Sequence, residues 1–124
     1  MILLDSNFLI GLLVSGSAEA GKVETWFMDT ELCTSSVAWY EFLSGPVDEE
    51  GIAVVLSMIS DRVFPSTRDQ AQEAARLWNS TGRLRRLRLN ATIASAAILV
   101  NAELATANIE DFQHFVPLGL RLRN

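Results

Sequence analysis

A three-layer α/β fold, with a central parallel sheet of about four to five strands between two layers of helices, is predicted by two features of the sequence. Short apolar runs alternate with longer segments of helical periodicity, which is typical of parallel strands joined by helices. The chain has 124 residues, of which 49% are hydrophobic, so a single domain over residues 1–124 can bury a substantial core.

The first part of the chain predicts a strand followed by two helices. Residues 1–4 are apolar and lead into a polar triplet, which indicates a buried strand that turns directly into a helix over residues 8–14. Ser6 or Asn7 is expected to cap this helix. An amphipathic helix is expected next, over about residues 18–29.

The middle of the chain repeats the alternation. Residues 31–35 predict a strand, and Ser35 or Ser36 is expected to cap a helix that stops at Gly45. Residues 52–59 have helical character, although their β-branched side chains also fit a strand.

The last part of the chain predicts further strands and two long helices. Residues 62–64 read as a strand, and Ser66 or Thr67 opens a strongly amphipathic helix that ends at Gly82. The chain then continues with a helix over residues 89–100, a strand over 104–106 and, around Pro117, a last edge strand over 116–120.

Charge and cysteine content narrow the class of protein. The net charge of -5 repels nucleic acid at long range, so any such binding must be local. Residues 83–88 (RLRRLR) concentrate the positive charge, which fits either a phosphate-contacting strip or a solvated segment that contacts an acidic partner. Cys33 is the only cysteine and no apolar run reaches the roughly 18 residues of a membrane span, so we expect a cytoplasmic protein without a membrane segment.

Acidic side chains follow three of the predicted strands, at the sheet edge where parallel sheets bind ligands. Asp5 comes directly after the first strand, Glu41 lies in the helix after the second, and Asp111 follows the strand that ends at Thr106. Each also has a structural explanation, because Asp5 can cap a helix, Glu41 can point outward, and Asp111 can belong to a capped turn.

Three carboxylates in one pocket require a cation. At 4 Å and an effective dielectric of 20, each pair repels by about 4 kcal/mol. Mg²⁺ or Mn²⁺ suits one or two carboxylates together with water and a substrate phosphate, and such an ion activates water and polarises a phosphodiester. If the three acids converge, the sequence predicts metal-dependent phosphodiester hydrolysis.

The motifs around these acids resemble those of PIN-domain ribonucleases, particularly the VapC-type toxins of bacterial toxin–antitoxin pairs. They are ILLDSNFLI around Asp5, TSSVAWYEFL around Glu41, the helix LNATIASAAI, and LATANIEDF around Asp111. The resemblance covers nearly the whole chain, and its most specific parts are the first strand with its aspartate and the closing Thr-x-Asn-x-x-Asp-Phe. It implies a PIN-like fold and an endoribonuclease toxin that hydrolyses RNA with Mg²⁺ or Mn²⁺.

By this resemblance, Asp5, Glu41 and Asp111 are metal ligands and catalytic residues, and Thr106 supports them. The family usually has an aspartate where this sequence has Asn90. The amide oxygen of Asn90 still serves as a weakened fourth ligand, but the negative charge is missing, so metal affinity and activity are expected to fall. Asn90 also suits a helix N-cap, and both a natural variant and an engineered substitution agree with the sequence.

The resemblance also implies an RNA substrate, a homodimer and a small antitoxin that covers the acidic groove, with Trp39 and Tyr40 as candidate contacts for the antitoxin. A catalytically inactive PIN module that binds RNA or antitoxin without cleavage is the alternative that Asn90 suggests. A receiver-like phosphoacceptor domain is less compatible with the sequence, because it needs a lysine near the site and the only lysine, Lys22, lies in a predicted helix.

Overall fold

The computed structural model describes residues 1–124 and contains a four-stranded parallel sheet with the strand order β3-β2-β1-β4. The strands are β1 (Ile2–Leu4), β2 (Leu32–Ser35), β3 (Val63–Phe64) and β4 (Glu103–Ala105). The α-helices are α1 (Ser6–Leu12), α2 (Ala18–Phe27), α3 (Ser36–Leu43), α4 (Glu49–Met58), α5 (Arg68–Ser80), α6 (Arg88–Leu99) and α7 (Ile109–Phe112), and Arg85–Leu87 and Gln113–Leu118 are 3-10 helices. The predicted α/β fold with a parallel sheet is confirmed.

Helices cover both faces of the sheet because successive side chains of a strand point in opposite directions. Leu3 of β1 belongs to a core cluster that it forms mainly with α5, α6 and the buried aromatic residues Phe112 and Phe115. Ile2 and Leu4 belong to a second cluster, formed mainly with α1, α2, α3 and α4. The three predicted layers are therefore present.

Side-chain caps start the helices that follow β1, β2 and β3. Asp5 caps α1, because its Oδ1 accepts a hydrogen bond from the Ser6 N–H at 2.8 Å. The expectation that Ser6 or Asn7 caps this helix was wrong, since both residues already lie inside its first turn. Ser35 and Thr67 cap α3 and α5 as predicted.

The segment that fitted either a helix or a strand is a helix. Helix α4 begins at Glu49, earlier than residue 52, because Asp48 accepts a hydrogen bond from the Gly51 N–H at 2.8 Å. This cap lies in the acidic turn before the β-branched residues, so the local signal at the start of the helix overrides their preference for a strand.

Helix α6 begins at Arg88, and Asn90 does not cap it. The 3-10 helix Arg85–Leu87 runs directly into α6, and no side chain caps the junction. The N-cap interpretation was wrong because a capping residue needs an extended backbone before the helix, whereas here the chain is already helical. Asn90 is instead the half-buried third residue of α6.

The edge strand predicted over residues 116–120 is also wrong. Most of this segment belongs to the 3-10 helix Gln113–Leu118, which ends at Gly119 with a φ of 120°. Pro117 has a fixed φ that suits a helical turn and no N–H to donate to a neighbouring strand. Further along, Leu122 makes a single parallel bridge to Leu104 of β4.

The surface carries one of the two aromatic residues that the sequence suggested as partner contacts. Tyr40 is 69% exposed, whereas Trp39 is half-buried and packs against Phe42 with a ring-centroid distance of 5.3 Å.

None of the helices has the length and apolar character that are needed to cross a membrane.

Candidate active site

The carboxyl ends of the neighbouring strands β1 and β4 hold a buried carboxylate. Strands β1 and β4 pair with Leu4 opposite Ala105, so Asp5 and Thr106 follow neighbouring strand ends. The Asp5 N–H donates to the Ala105 carbonyl oxygen at 2.9 Å, and the Thr106 hydroxyl donates to Asp5 Oδ2 at 2.7 Å. Asp5 and Thr106 are both 4% exposed, so this pair forms the interior wall of the site.

Both carboxylate oxygens of Asp5 are held in place. Oδ1 accepts from the Ser6 N–H and Oδ2 from the Thr106 hydroxyl. Burial raises the pKa of the Asp5 carboxyl, and the hydrogen bonds from Thr106 and Ser6 offset part of this increase. A carboxylate that is buried, oriented and raised in pKa is typical of a functional site rather than of an ordinary helix cap.

Glu41 shares the electrostatic environment of Asp5. It lies on α3, which packs against α1, the helix that Asp5 caps. Partial burial raises the pKa of the Glu41 carboxyl, the negative charge of Asp5 raises it further, and the Ser6 side chain lowers it in part. A positive charge near these two carboxylates relieves both the desolvation and the repulsion.

Asp111 is connected to Asp5 through intervening polar groups. The Asn108 N–H donates to the Thr106 hydroxyl at 3.0 Å, and the Asn108 side-chain amide donates to Asp111 Oδ2 at 3.2 Å. The other oxygen, Oδ1, accepts from Arg86 Nε at 3.2 Å. The hydrogen bonds from Asn108 and Arg86 lower the pKa of the Asp111 carboxyl.

Asn90 lies on a helix that contacts two of the helices carrying acids. Helix α6 packs against α3, which carries Glu41, and against α7, which carries Asp111. Because the Asn90 side chain caps no helix, its amide oxygen is available as a neutral ligand.

The donor set fits a hard divalent cation, although the three acids do not form one cluster. No group of three or more acidic, histidine or cysteine side chains is close enough together to hold a metal ion. Mg²⁺, however, is commonly bound by one or two carboxylates with water and phosphate oxygens completing the coordination, and Asp5 and Glu41 supply two carboxylates. The assignment of Asp5, Glu41, Asn90 and Asp111 as metal ligands stays a prediction.

Two contacts at the site were missed by sequence reasoning. Asn7 Oδ1 accepts from the Ala107 N–H at 3.1 Å and so joins the start of α1 to the segment after β4. Arg86 pairs with Asp111. The positive charge of residues 83–88 was the available signal for Arg86, but the identity of its partner depends on the path of the chain between them.

The sequence matches the family model of the PIN domain over residues 2–115. This match spans most of the chain, so the protein belongs to the PIN domain family, and the family predicted from the motifs is confirmed. Members of this family are generally nucleases. No curated protein is similar enough in sequence to count as a match.

Several solved structures share the fold over nearly their whole length. VapBC2 from Rickettsia felis, bound to a DNA fragment from its promoter, is 21% identical with a TM-score of 0.72 and covers 100% of this chain and 98% of that chain. FitAcB from Neisseria gonorrhoeae is 16% identical with a TM-score of 0.75, covering 100% and 97%. A toxin–antitoxin complex from Klebsiella pneumoniae is 24% identical with a TM-score of 0.71, covering 90% of each chain. At these identities the likeness establishes the fold.

Proposed function

We propose that this PIN domain is a VapC-type toxin, an Mg²⁺- or Mn²⁺-dependent endoribonuclease that a cognate antitoxin neutralises. Its activity is reduced because Asn90 replaces an acid. In this proposal Asp5, Glu41, Asn90 and Asp111 face the metal ion, and Thr106 positions Asp5. The protein acts in the cytoplasm as a homodimer.

One observation carries the proposal: Asp5 is a buried carboxylate fixed at the end of β1, and burial together with the negative charge of Asp5 raises the pKa of the Glu41 carboxyl. Burying Asp5 and partly burying Glu41, which repels it, lowers the stability of the fold unless a cation is bound. A cation-binding role explains why both are present in a PIN fold.

In the hydrolysis of RNA, the bound ion, Thr106 and the arginine segment would have different roles. Mg²⁺ or Mn²⁺, when bound, supplies Lewis-acid polarisation of the phosphodiester and a more acidic water. Thr106 holds Asp5 in one orientation, so the carboxylate needs no reorganisation when the cation arrives. Arg85, an exposed arginine in the segment over residues 83–88, is suited to contact the RNA backbone.

The partner part of the proposal is supported by the structural neighbours. The structure from Klebsiella pneumoniae, which shares the fold of this chain, is a toxin–antitoxin complex. By analogy, we propose that an antitoxin segment covers the acidic groove of this chain. Tyr40 is exposed on α3, one residue before Glu41, so it is a candidate contact.

The first prediction concerns Asn90. Asn90→Asp restores one negative charge next to the proposed cation, so Mn²⁺ affinity is expected to rise about tenfold or more, and RNA cleavage with it. Calorimetric Mn²⁺ titration of both chains, followed by a cleavage assay on RNA in preparations free of antitoxin, measures the two effects.

The matched control is Glu41→Gln in each background, which should abolish cleavage without unfolding the chain. Equal Mn²⁺ affinity of wild type and Asn90→Asp contradicts the proposed role of position 90. If folded Asn90→Asp does not cleave RNA with Mn²⁺, the alternative function, a PIN module that binds RNA or antitoxin without cleavage, replaces the nuclease.

A further inference from the structure

Arg86 has a partner that none of the other arginines near it has. Its Nε lies 3.2 Å from Asp111 Oδ1, although the two residues are 25 positions apart in the sequence. Arg83 instead donates to Asn79, and Arg88 lies over the ring of Trp78, with 5.2 Å from its Cζ to the ring centroid. The contact with Asp111 is therefore specific to one of the four arginines of residues 83–88.

Arg86 and Asn108 together hold the Asp111 carboxylate in place. Each oxygen of the Asp111 carboxylate has its own donor, Arg86 Nε for Oδ1 and the Asn108 amide for Oδ2. Asn108 also donates to Thr106, which donates to Asp5. Asp111 thus belongs to the polar network of the candidate site while its charge is neutralised from outside that network.

Asp111 does not form a three-acid cluster with Asp5 and Glu41. Asp5 and Glu41 interact directly through their charges, but no group of three acids is close enough together to hold a metal ion. Asp111 is the carboxylate of this network that already has a cationic partner. The guanidinium supplies the positive charge next to this carboxylate.

We propose that Arg86 is a positioning residue that acts as an internal counter-cation for Asp111, so that Asp111 joins the metal site only when Arg86 releases it. The inference rests on the proposed metal site. Arg86 is suited to this role because its side chain is 56% exposed, so it can turn into solvent without disturbing the core, and Asp111 is 22% exposed. Release removes a positive charge and frees a carboxylate in the same movement.

The test is a Mn²⁺ titration of the full chain by calorimetry, for wild type and Arg86→Gln. Because the pair is partly exposed, its loss is expected to tighten Mn²⁺ binding about 3- to 10-fold. Arg86→Lys keeps the charge but loses the planar geometry of the guanidinium, so its affinity is expected to lie between the other two. Thermal unfolding in EDTA checks that each chain is folded.

Arg83→Gln is the matched control, since it removes the same charge from the same segment but not from Asp111. Its Mn²⁺ affinity is expected to stay within about twofold of wild type, because the exposed charge of Arg83 does not contact Asp111 and is screened by the solvent. In the Asp111→Asn background, Arg86→Gln is expected to have no further effect on Mn²⁺ affinity, since the carboxylate that it releases is gone.

Equal tightening by Arg86→Gln and Arg83→Gln would overturn the inference, because the effect would then come from net charge alone. Unchanged or weaker binding by Arg86→Gln, or no Mn²⁺ binding by any of these chains, would also overturn it. Failure of the nuclease proposal gives a different result, in which Arg86→Gln still tightens Mn²⁺ binding but neither it nor Asn90→Asp cleaves RNA.

Discussion

At the scale of single residues, the hydroxyl of Thr106 holds two other residues, Asp5 and Asn108, in place. It donates to Asp5 at 2.7 Å and accepts from the Asn108 N–H at 3.0 Å. A methyl group of the same size can do neither. The orientation of Asp5, and the link from Asp5 towards Asp111, therefore both depend on this oxygen atom.

Thr106→Val is predicted to lower the free energy of unfolding by about 1 to 3 kcal/mol, because it leaves polar groups at the buried strand ends without a partner. Thr106→Ser keeps the hydroxyl and is expected to lose less. Urea denaturation in EDTA measures both values. Equal stability of the valine and serine variants would mean that the hydrogen bonds of Thr106 contribute nothing net.

Residue-level prediction succeeded where a local rule applied and failed where three-dimensional proximity decided the contact. Asp5 was found because a polar residue directly follows an apolar strand, and the parallel pairing of β1 with β4 brings Thr106 beside it. The partner of Arg86 depends on how the 3-10 helix Arg85–Leu87 presents its side chains to α7. No spacing in the sequence encodes that contact.

At the scale of secondary-structure elements, Gly11 explains how α1 and α2 approach each other closely. A Cβ atom on Gly11 would lie 2.6 Å from the Cβ of Glu19 on α2, which is closer than two carbon atoms can pack. The glycine weakens α1 as an isolated helix, but it allows α2 to lie against it. Asp5 caps α1, so this contact supports the helix next to the candidate site.

Gly11→Ala is predicted to lower the free energy of unfolding by about 1 to 3 kcal/mol, because the helices must separate to make room for the methyl group. Gly21→Ala is the matched control. Gly21 is exposed in α2, and a Cβ atom there would meet nothing within 4 Å, so alanine is expected to stabilise by about 0.5 to 1 kcal/mol. Thermal unfolding of both variants measures whether Gly11→Ala destabilises and Gly21→Ala stabilises the protein. A change in the same direction for both would contradict the packing argument.

The strand wrongly predicted over residues 116–120 and the element that was not predicted over residues 85–87 both have 3-10 geometry. Residues 113–118 and 85–87 are short helical turns, which give no periodic pattern long enough to identify them. The regular helices and strands were predicted because their caps and periodicity are local. The 3-10 turns depend on what they pack against, as with the buried Leu87 and Phe115.

At the scale of the whole molecule, the Cys33 thiol reaches solvent only when the sheet opens. It lies in β2, is 0% exposed, and its Sγ is 3.6 Å from the Ile2 carbonyl oxygen of the neighbouring strand. Burial raises the pKa of the thiol from its ordinary value of 9.0 to about 12. Neither ionisation nor chemical modification of this thiol is compatible with the closed core.

The raised pKa predicts a loss of stability in alkaline solution. Below pH 9.0 the thiol is neutral in both the folded and the unfolded chain, and as pH rises towards about 12 it ionises only in the unfolded chain, which favours unfolding. Between about pH 8 and pH 10.5, wild type is expected to lose about 2 kcal/mol more than Cys33→Ala.

Urea denaturation at the two pH values measures this difference, and the loss of packing in Cys33→Ala cancels because each chain is compared with itself. Thiol labelling of native wild type should be slow and should follow the rate of unfolding. Rapid labelling of the folded protein would show that the sheet opens locally at β2.

The sheet joins the start of the chain to its end, because β1 lies between β2 and β4 and the hydrogen bond from Thr106 to Asp5 spans 101 residues. A ribosome adds about 5 to 20 residues per second, so Asp5 is synthesised roughly 5 to 20 seconds before Thr106. Throughout this interval the nascent polypeptide lacks the wall of its own pocket. The candidate site therefore forms only late in translation. A prematurely terminated chain that stops before β4 contains Asp5 but cannot form the site.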